Sequence, residues 1–160
     1  MSNPSVLFVC TANICRSPMA EGLFRAYLQK MLPDQWQNWR IESAGTWASD
    51  GEAISANSQQ VLLNRAAILE HHQSRTVTAE MLAGFSLILT MEAGHKEALQ
   101  VEFPSVANRI YLLGEMAGSP TGVSDPYGKA LEAYERTANL IQTMIEKGFE
   151  RITSLVSQNS

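Results

Sequence analysis

Cys10 and Cys15 lie close to the start of the chain with four residues between them, and Arg16 and Ser17 follow at once in the run CTANICRSP. They are the chain's only cysteines. Two thiols cannot staple a secreted fold, and in a reducing compartment such a pair points to chemistry. A loop that leads from a strand into a helix N-terminus aims several free amides at one point, with the helix dipole adding positive potential. That arrangement suits a tetrahedral oxyanion. Arg16 would add a planar fork for two of its oxygens. The same potential favours the thiolate of Cys10, aimed at the centre of the held anion. A nucleophile inside an oxyanion cradle implies phosphoryl transfer. Ser17 can donate its hydroxyl toward the sulfur, and Asn13 tolerates the left-handed backbone that a tight cradle requires. The chain has eight arginines and 24 Ser or Thr. An Arg six places after a Cys and followed by Ser or Thr then arises by chance roughly once in 130.

Departure of a leaving group needs a carboxyl on a mobile loop near the cradle. Of the three aspartates, Asp34 and Asp50 lie in less structured polar contexts, and Asp125 precedes Pro126 and Tyr127 in a Gly- and Pro-rich stretch. Pro126 stiffens the backbone there, and Tyr127 can wall a slot for a flat ring.

The elements that must position these residues read as an alternation. Ser5–Cys10 is a short continuous apolar run, as a buried parallel strand would be. Ser17 as N-cap, Pro18 at the first helical position and Glu21 in the first turn then open a helix. Further strands are expected at 40–44, 85–91 and 109–113, and helices at 54–63 and 92–100. A long loop to Lys129 follows, of a length that is usually functional. Leu131, Tyr134, Ala138, Ile141, Ile145, Phe149 and Ile152 recur at helical spacing, predicting a long amphipathic helix packed on the sheet. The fold class expected is α/β: a three-layer sandwich with a central four-stranded parallel sheet, helices on both faces, and the phosphate-binding loop after the first strand. Ligands in such sheets bind beyond the strand C-termini.

The 160 residues, 45% hydrophobic and 18% charged, suit one soluble domain spanning 1–160. A net charge of −4 with no dense Lys/Arg stripe argues against nucleic acid. The apolar run 6–10 is too short for a signal-peptide core or a membrane span, so a cytoplasmic location and no membrane partner are expected. No set of residues with metal-ligand spacing appears, and neither a metal nor a cofactor is expected. The absence of an obvious exposed apolar stripe favours a monomer.

The chain resembles the low-molecular-weight protein tyrosine phosphatases, whose signature is a Cys, five residues, Arg, then Ser or Thr near the N-terminus. The likeness is close over VLFVCTANICRSPMAEGLFR and continues through SAGT at 43–46, HHQSR at 71–75, LTMEAGHKEAL at 89–99, YLLGE at 111–115 and DPYGK at 125–129. The resemblance implies Cys10 as nucleophile, Arg16 as phosphate clamp and Asp125 as general acid, within a loop of Thr11, Ala12, Asn13, Ile14, Cys15 and Ser17 around the phosphate. It further implies Ser43 and His72 as braces behind that loop, Trp47 as a second aromatic wall, and Cys15 as a partner in a reversible disulfide protecting Cys10. His95 reads as a solvated helix residue. The family usually has Gly at the place of Ala12, which matters where the backbone needs positive φ. The activity implied is metal-free hydrolysis of phosphotyrosine in proteins through a phosphocysteine.

Related branches supply the alternatives. A phosphoarginine-hydrolysing branch carries Thr where this chain has Ile14, and the resemblance therefore leans toward phosphotyrosine. Arsenate reductases on the same fold need two further mid-chain cysteines, which are absent. A third alternative is a non-catalytic phosphoprotein-binding module or a phosphocysteine carrier; the carrier lacks the loop Arg and the Asp-Pro acid, and both are present here.

Overall fold

A computed structural model describes residues 3–160. Four parallel strands, β1 (Ser5–Cys10), β2 (Arg40–Gly45), β3 (Leu87–Thr90) and β4 (Ile110–Leu112), lie in the order β2-β1-β3-β4. Strand β1 is therefore central, and every one of its residues is buried, which explains its unbroken apolar run. Its side chains alternate between two cores. Val6, Phe8 and Cys10 face one layer, while Leu7 and Val9 face the other.

The first layer holds α1 (Arg16–Met31), α2 (Ala56–Asn64), the short α5 (Leu113–Met116) and the 29-residue α6 (Leu131–Asn159). The second holds α3 (Ala79–Ala83) and α4 (Ala93–Glu102), joined to β4 by a 3-10 turn at Pro104–Arg109. A further 3-10 turn, Trp36–Asn38, precedes β2. The α6 residues expected to face the sheet do so; Ile141, Ile145 and Ile152 are fully buried. Each such side chain contributes about 1.5–3 kcal/mol on leaving water. None of the described helices is long and apolar enough to cross a membrane.

The order places β2 on one side of β1 and β3 on the other, so the chain reverses direction across the sheet beside β1. The crevice beyond the C-terminal ends of β1 and β3 is where such a sheet binds ligands. Two expectations need correction here. Helix α1 begins at Arg16 after an uncapped Cys15, and Ser17 is not its cap because its hydroxyl is engaged by Asn13 and Cys10. Glu21 consequently falls in the second turn. The long loop after β4 also contains α5, and Gly114 is required there: a Cβ would lie 2.3 Å from the Thr121 carbonyl.

Candidate active site

The loop from Cys10 to Ser17 curls so that its carbonyls are held from outside. Thr46 N–H donates to the Cys10 carbonyl (2.9 Å), Trp47 N–H to Thr11 (3.0 Å) and Ser55 N–H to Ile14 (2.8 Å). His72 Nε2 lies 2.7 Å from the Asn13 carbonyl. In a planar trans peptide, N–H and C=O point opposite ways. The amides of Thr11, Ala12, Ile14 and Cys15 are therefore turned inward, and none donates to a carbonyl of the described residues. Gly45 makes the close approach possible, since a Cβ there would sit 2.3 Å from the Thr11 oxygen.

Asn13 is the hinge of the curl, with a left-handed φ of 59° and no exposure. Its side chain satisfies three bonds. Nδ2 donates to Ser17 Oγ (2.9 Å) and Ser43 Oγ (3.0 Å), and Oδ1 accepts from Arg75 N–H (3.1 Å). These bonds fix the direction of the hydroxyls. Ser43, accepting from Asn13, donates to Glu21 (2.7 Å). Ser17, also accepting from Asn13, is left to donate its own hydrogen, with Cys10 Sγ nearest at 3.0 Å and the Ala44 carbonyl at 3.4 Å. Burial raises the Glu21 carboxyl above the usual range, against the bond from Ser43. Ala12 is not among the residues of positive φ, so its methyl is accommodated where a glycine would also fit.

Arg16, only 2% exposed, is held by two groups that did not stand out in the sequence. Its Nη1 donates to the Glu92 carboxylate and to the Val123 carbonyl (2.8 Å), and its Nη2 lies 3.7 Å from Asp125 Oδ2. Glu92 caps α4 two residues after β3 ends, and His95 lies in the first turn of that helix. His95 is buried, contrary to the solvated position expected. Its Nδ1 accepts from Glu92 N–H (3.2 Å), so the neutral ring carries its proton on Nε2 and donates to Thr11 Oγ1 (2.8 Å). Burial, then the Arg16 charge, holds His95 below the ordinary imidazole value. The signal for both residues was topological: they follow the strand that neighbours β1 at the reversal point.

The loop floors a cavity of about 320 Å3 lined by residues 10–16 together with Glu52, Asp125 and Tyr127. Asp125 turns one oxygen back to Tyr127 N–H (3.1 Å), a local turn that presents the carboxyl at the rim. Glu52, unmarked by any sequence pattern, reaches the lining because Ser74 clasps its backbone on both sides (2.8 and 2.9 Å). Trp47 is not brought into the lining. Its backbone serves the loop, while its indole stands 85% exposed. Cys15 contacts Ser55 Oγ (3.4 Å) and Tyr134 OH (3.7 Å). Burial pushes the Cys15 thiol up, and burial with the adjoining Cys15 pushes the Tyr134 hydroxyl up to about 12.

Such a fold and loop define a cysteine-centred cradle for a tetrahedral oxyanion at the reversal point of a parallel sheet. Residues 5–158 match the model for low molecular weight phosphotyrosine protein phosphatases, and the chain belongs to that family of cysteine-nucleophile hydrolases. It is 32% identical over 149 residues to the low molecular weight protein-tyrosine-phosphatase Etp of Escherichia coli K12, covering 93% of this chain and 95% of that protein. It is 30% identical over 148 residues to a protein-arginine-phosphatase of Geobacillus stearothermophilus, covering 92% and 95%. A crystal structure of the low molecular weight protein tyrosine phosphatase from T. tengcongensis superposes with a TM-score of 0.83 at 38% identity, covering 92% of this chain and 98% of that one.

Proposed function

We propose that the chain, as a single domain over 1–160, is a metal-independent and cofactor-independent protein tyrosine phosphatase acting on tyrosine-phosphorylated proteins as a cytoplasmic monomer. Cys10 attacks phosphorus in line. The inward amides and Arg16 hold the equatorial oxygens, and Asp125 protonates the departing phenolate. Asp125, then ionised, takes a proton from water as that water attacks the phosphocysteine; the P–S bond breaks and Cys10 leaves as thiolate. Ser17 and Asn13 steady the sulfur and the loop, Ser43 and His72 brace it, Tyr127 and Trp47 meet the substrate from outside, and when a peroxide takes two electrons from the thiols Cys15 guards Cys10 in a disulfide that a thiol reductant reopens.

The observation that carries this reading is the ring of inward amides around Cys10 with Arg16 and Asp125 at its mouth. Phosphoarginine is the second reading, favoured by the arginine-phosphatase relative and by two carboxylates, Glu52 and Asp125, able to face a guanidinium. Steady-state hydrolysis of p-nitrophenyl phosphate in EDTA tests the first, with Cys10→Ser alongside and phosphotyrosine set against phosphoarginine. EDTA-resistant turnover, absent in Cys10→Ser and faster on phosphotyrosine, is expected. Full activity in Cys10→Ser would sink the mechanism, and preference for phosphoarginine would transfer the assignment to the second reading.

A further inference from the structure

Beside the cleft lies a second cavity of about 360 Å3, between the segment 121–126 and the start of α6. Asp125 lines both cavities, so they adjoin across it. Pro126, Ala133 and Leu140 give its lining apolar surface, and the exposed Lys129 and Arg136 stand at its rim. Leu140 is among the few large hydrophobic side chains left exposed. Neither cation has a carboxylate within ion-pair distance among the described residues. The nearby acids are mostly committed elsewhere: Glu135 to Arg65 (3.3 Å) and Asp125 toward Arg16. Glu132 lies in the first turn of α6 outside the lining. Helix α6 begins at Leu131 after Ala130, which supplies no side-chain cap, adding positive potential at the same rim.

Resting on the phosphatase reading, the geometry points to this groove as a docking subsite for acidic residues that flank the phosphotyrosine of a protein substrate. A phosphotyrosine seated over Cys10 leaves the next few residues of an extended chain within reach, at about 3.3–3.6 Å each. Glu52 supplies the contrast: it gives the cleft another acidic wall, which repels an acidic flank, whereas the groove attracts one. Charge at this rim thus sorts substrates that the phosphate cradle treats alike.

The test compares three phosphotyrosine peptides, with acidic residues before, after or absent from the phosphotyrosine, and p-nitrophenyl phosphate, which has no flank. The unaltered chain and the double variant Lys129→Glu/Arg136→Glu are assayed at low and high salt. One acid-flanked peptide is expected to exceed the neutral peptide in kcat/KM by about 5- to 20-fold at low salt, with the gap closing at high salt and in the double variant. Turnover of p-nitrophenyl phosphate is expected to stay within about two-fold in both proteins, because neither residue lines the cradle. Equal rates on all three peptides in the unaltered chain, or a preference that survives the charge reversal, would overturn the groove. Failure of the unaltered chain to hydrolyse p-nitrophenyl phosphate would overturn the phosphatase reading and the groove with it.

Discussion

Two loops meet at the cleft and are built in opposite ways. The loop at 10–17 is packed from behind: Cys10, Asn13, Cys15, Arg16 and Ser17 are all buried, its carbonyls are bonded to Thr46, Trp47, Ser55 and His72, and the Asn13 side-chain amide is bonded to Ser43 and Arg75. The loop at 117–130 is fastened chiefly at Val123, whose N–H reaches Met91 (2.7 Å) and whose carbonyl receives Arg16 (2.8 Å). Two residues beyond that anchor, Asp125 stands about half exposed and Tyr127 is 65% exposed. The contrast matches the chemistry proposed for each. Holding equatorial oxygens needs donors fixed before the anion arrives, since reorganisation would cost what preorganisation saves. A carboxyl that protonates one group and then deprotonates water needs freedom and access to solvent.

Substitutions that separate rate from stability sharpen that contrast. The largest effect is expected for Asp125→Ala, with kcat on aryl phosphates falling by about 10²–10⁴-fold and melting temperature unchanged. Hydrolysis across a series of phenols should show the loss growing as the leaving group becomes poorer. A large loss of stability in this variant would mean that the acid loop is as structural as the cradle.

Asn13→Ala should behave in the other way, losing both. It removes two buried donors and one acceptor and leaves alanine at φ of 59°, a combination worth about 2–4 kcal/mol in urea unfolding. Turnover should fall with it because the inward amides depend on the curl. A stable Asn13→Ala protein would show that the outer bonds alone fix the loop.

The smallest effect concerns pH. The unfolded chain takes up a proton on His95 near the ordinary value of 6.5, whereas the folded chain does so only lower. Below 6.5 the unfolded state thus binds more protons, so the stability His95 permits is complete above that pH and declines as pH falls through the window. His95→Gln should flatten this part of the profile in urea midpoints taken between pH 7.5 and 5.5. An unchanged slope would place the titration on another group.

Legibility in the sequence followed locality. The cradle is read from eight consecutive residues because strand, curl and helix start are all encoded between Ser5 and Pro18, and Asn13 marks the one left-handed position by its type. Asp125 is legible because proline and a glycine-rich stretch mark a loop. The four-stranded parallel sheet follows from apolar runs alternating with helical periodicity, although the runs overstate β3 by three residues and β4 by two, in part because the apolar Phe85 and Leu113 are buried without joining the ladder.

The sequence by itself therefore determined the class of fold, the curl after the first strand and the kinds of group gathered there, since each is set by backbone preference and periodicity over a few residues. Only the tertiary structure decided who stands behind and beside the curl. Glu92 and His95 reach Arg16 and Thr11 because β3 pairs with β1, across some 80 residues of chain. Ser17 turns from a helix cap into a donor toward the thiol, Trp47 bonds the loop through its backbone while its ring stands exposed outside the lining, and Glu52 enters the lining through Ser74. Those outcomes depend on which strands are neighbours, and pairing between distant segments leaves no periodic trace in the sequence around either one.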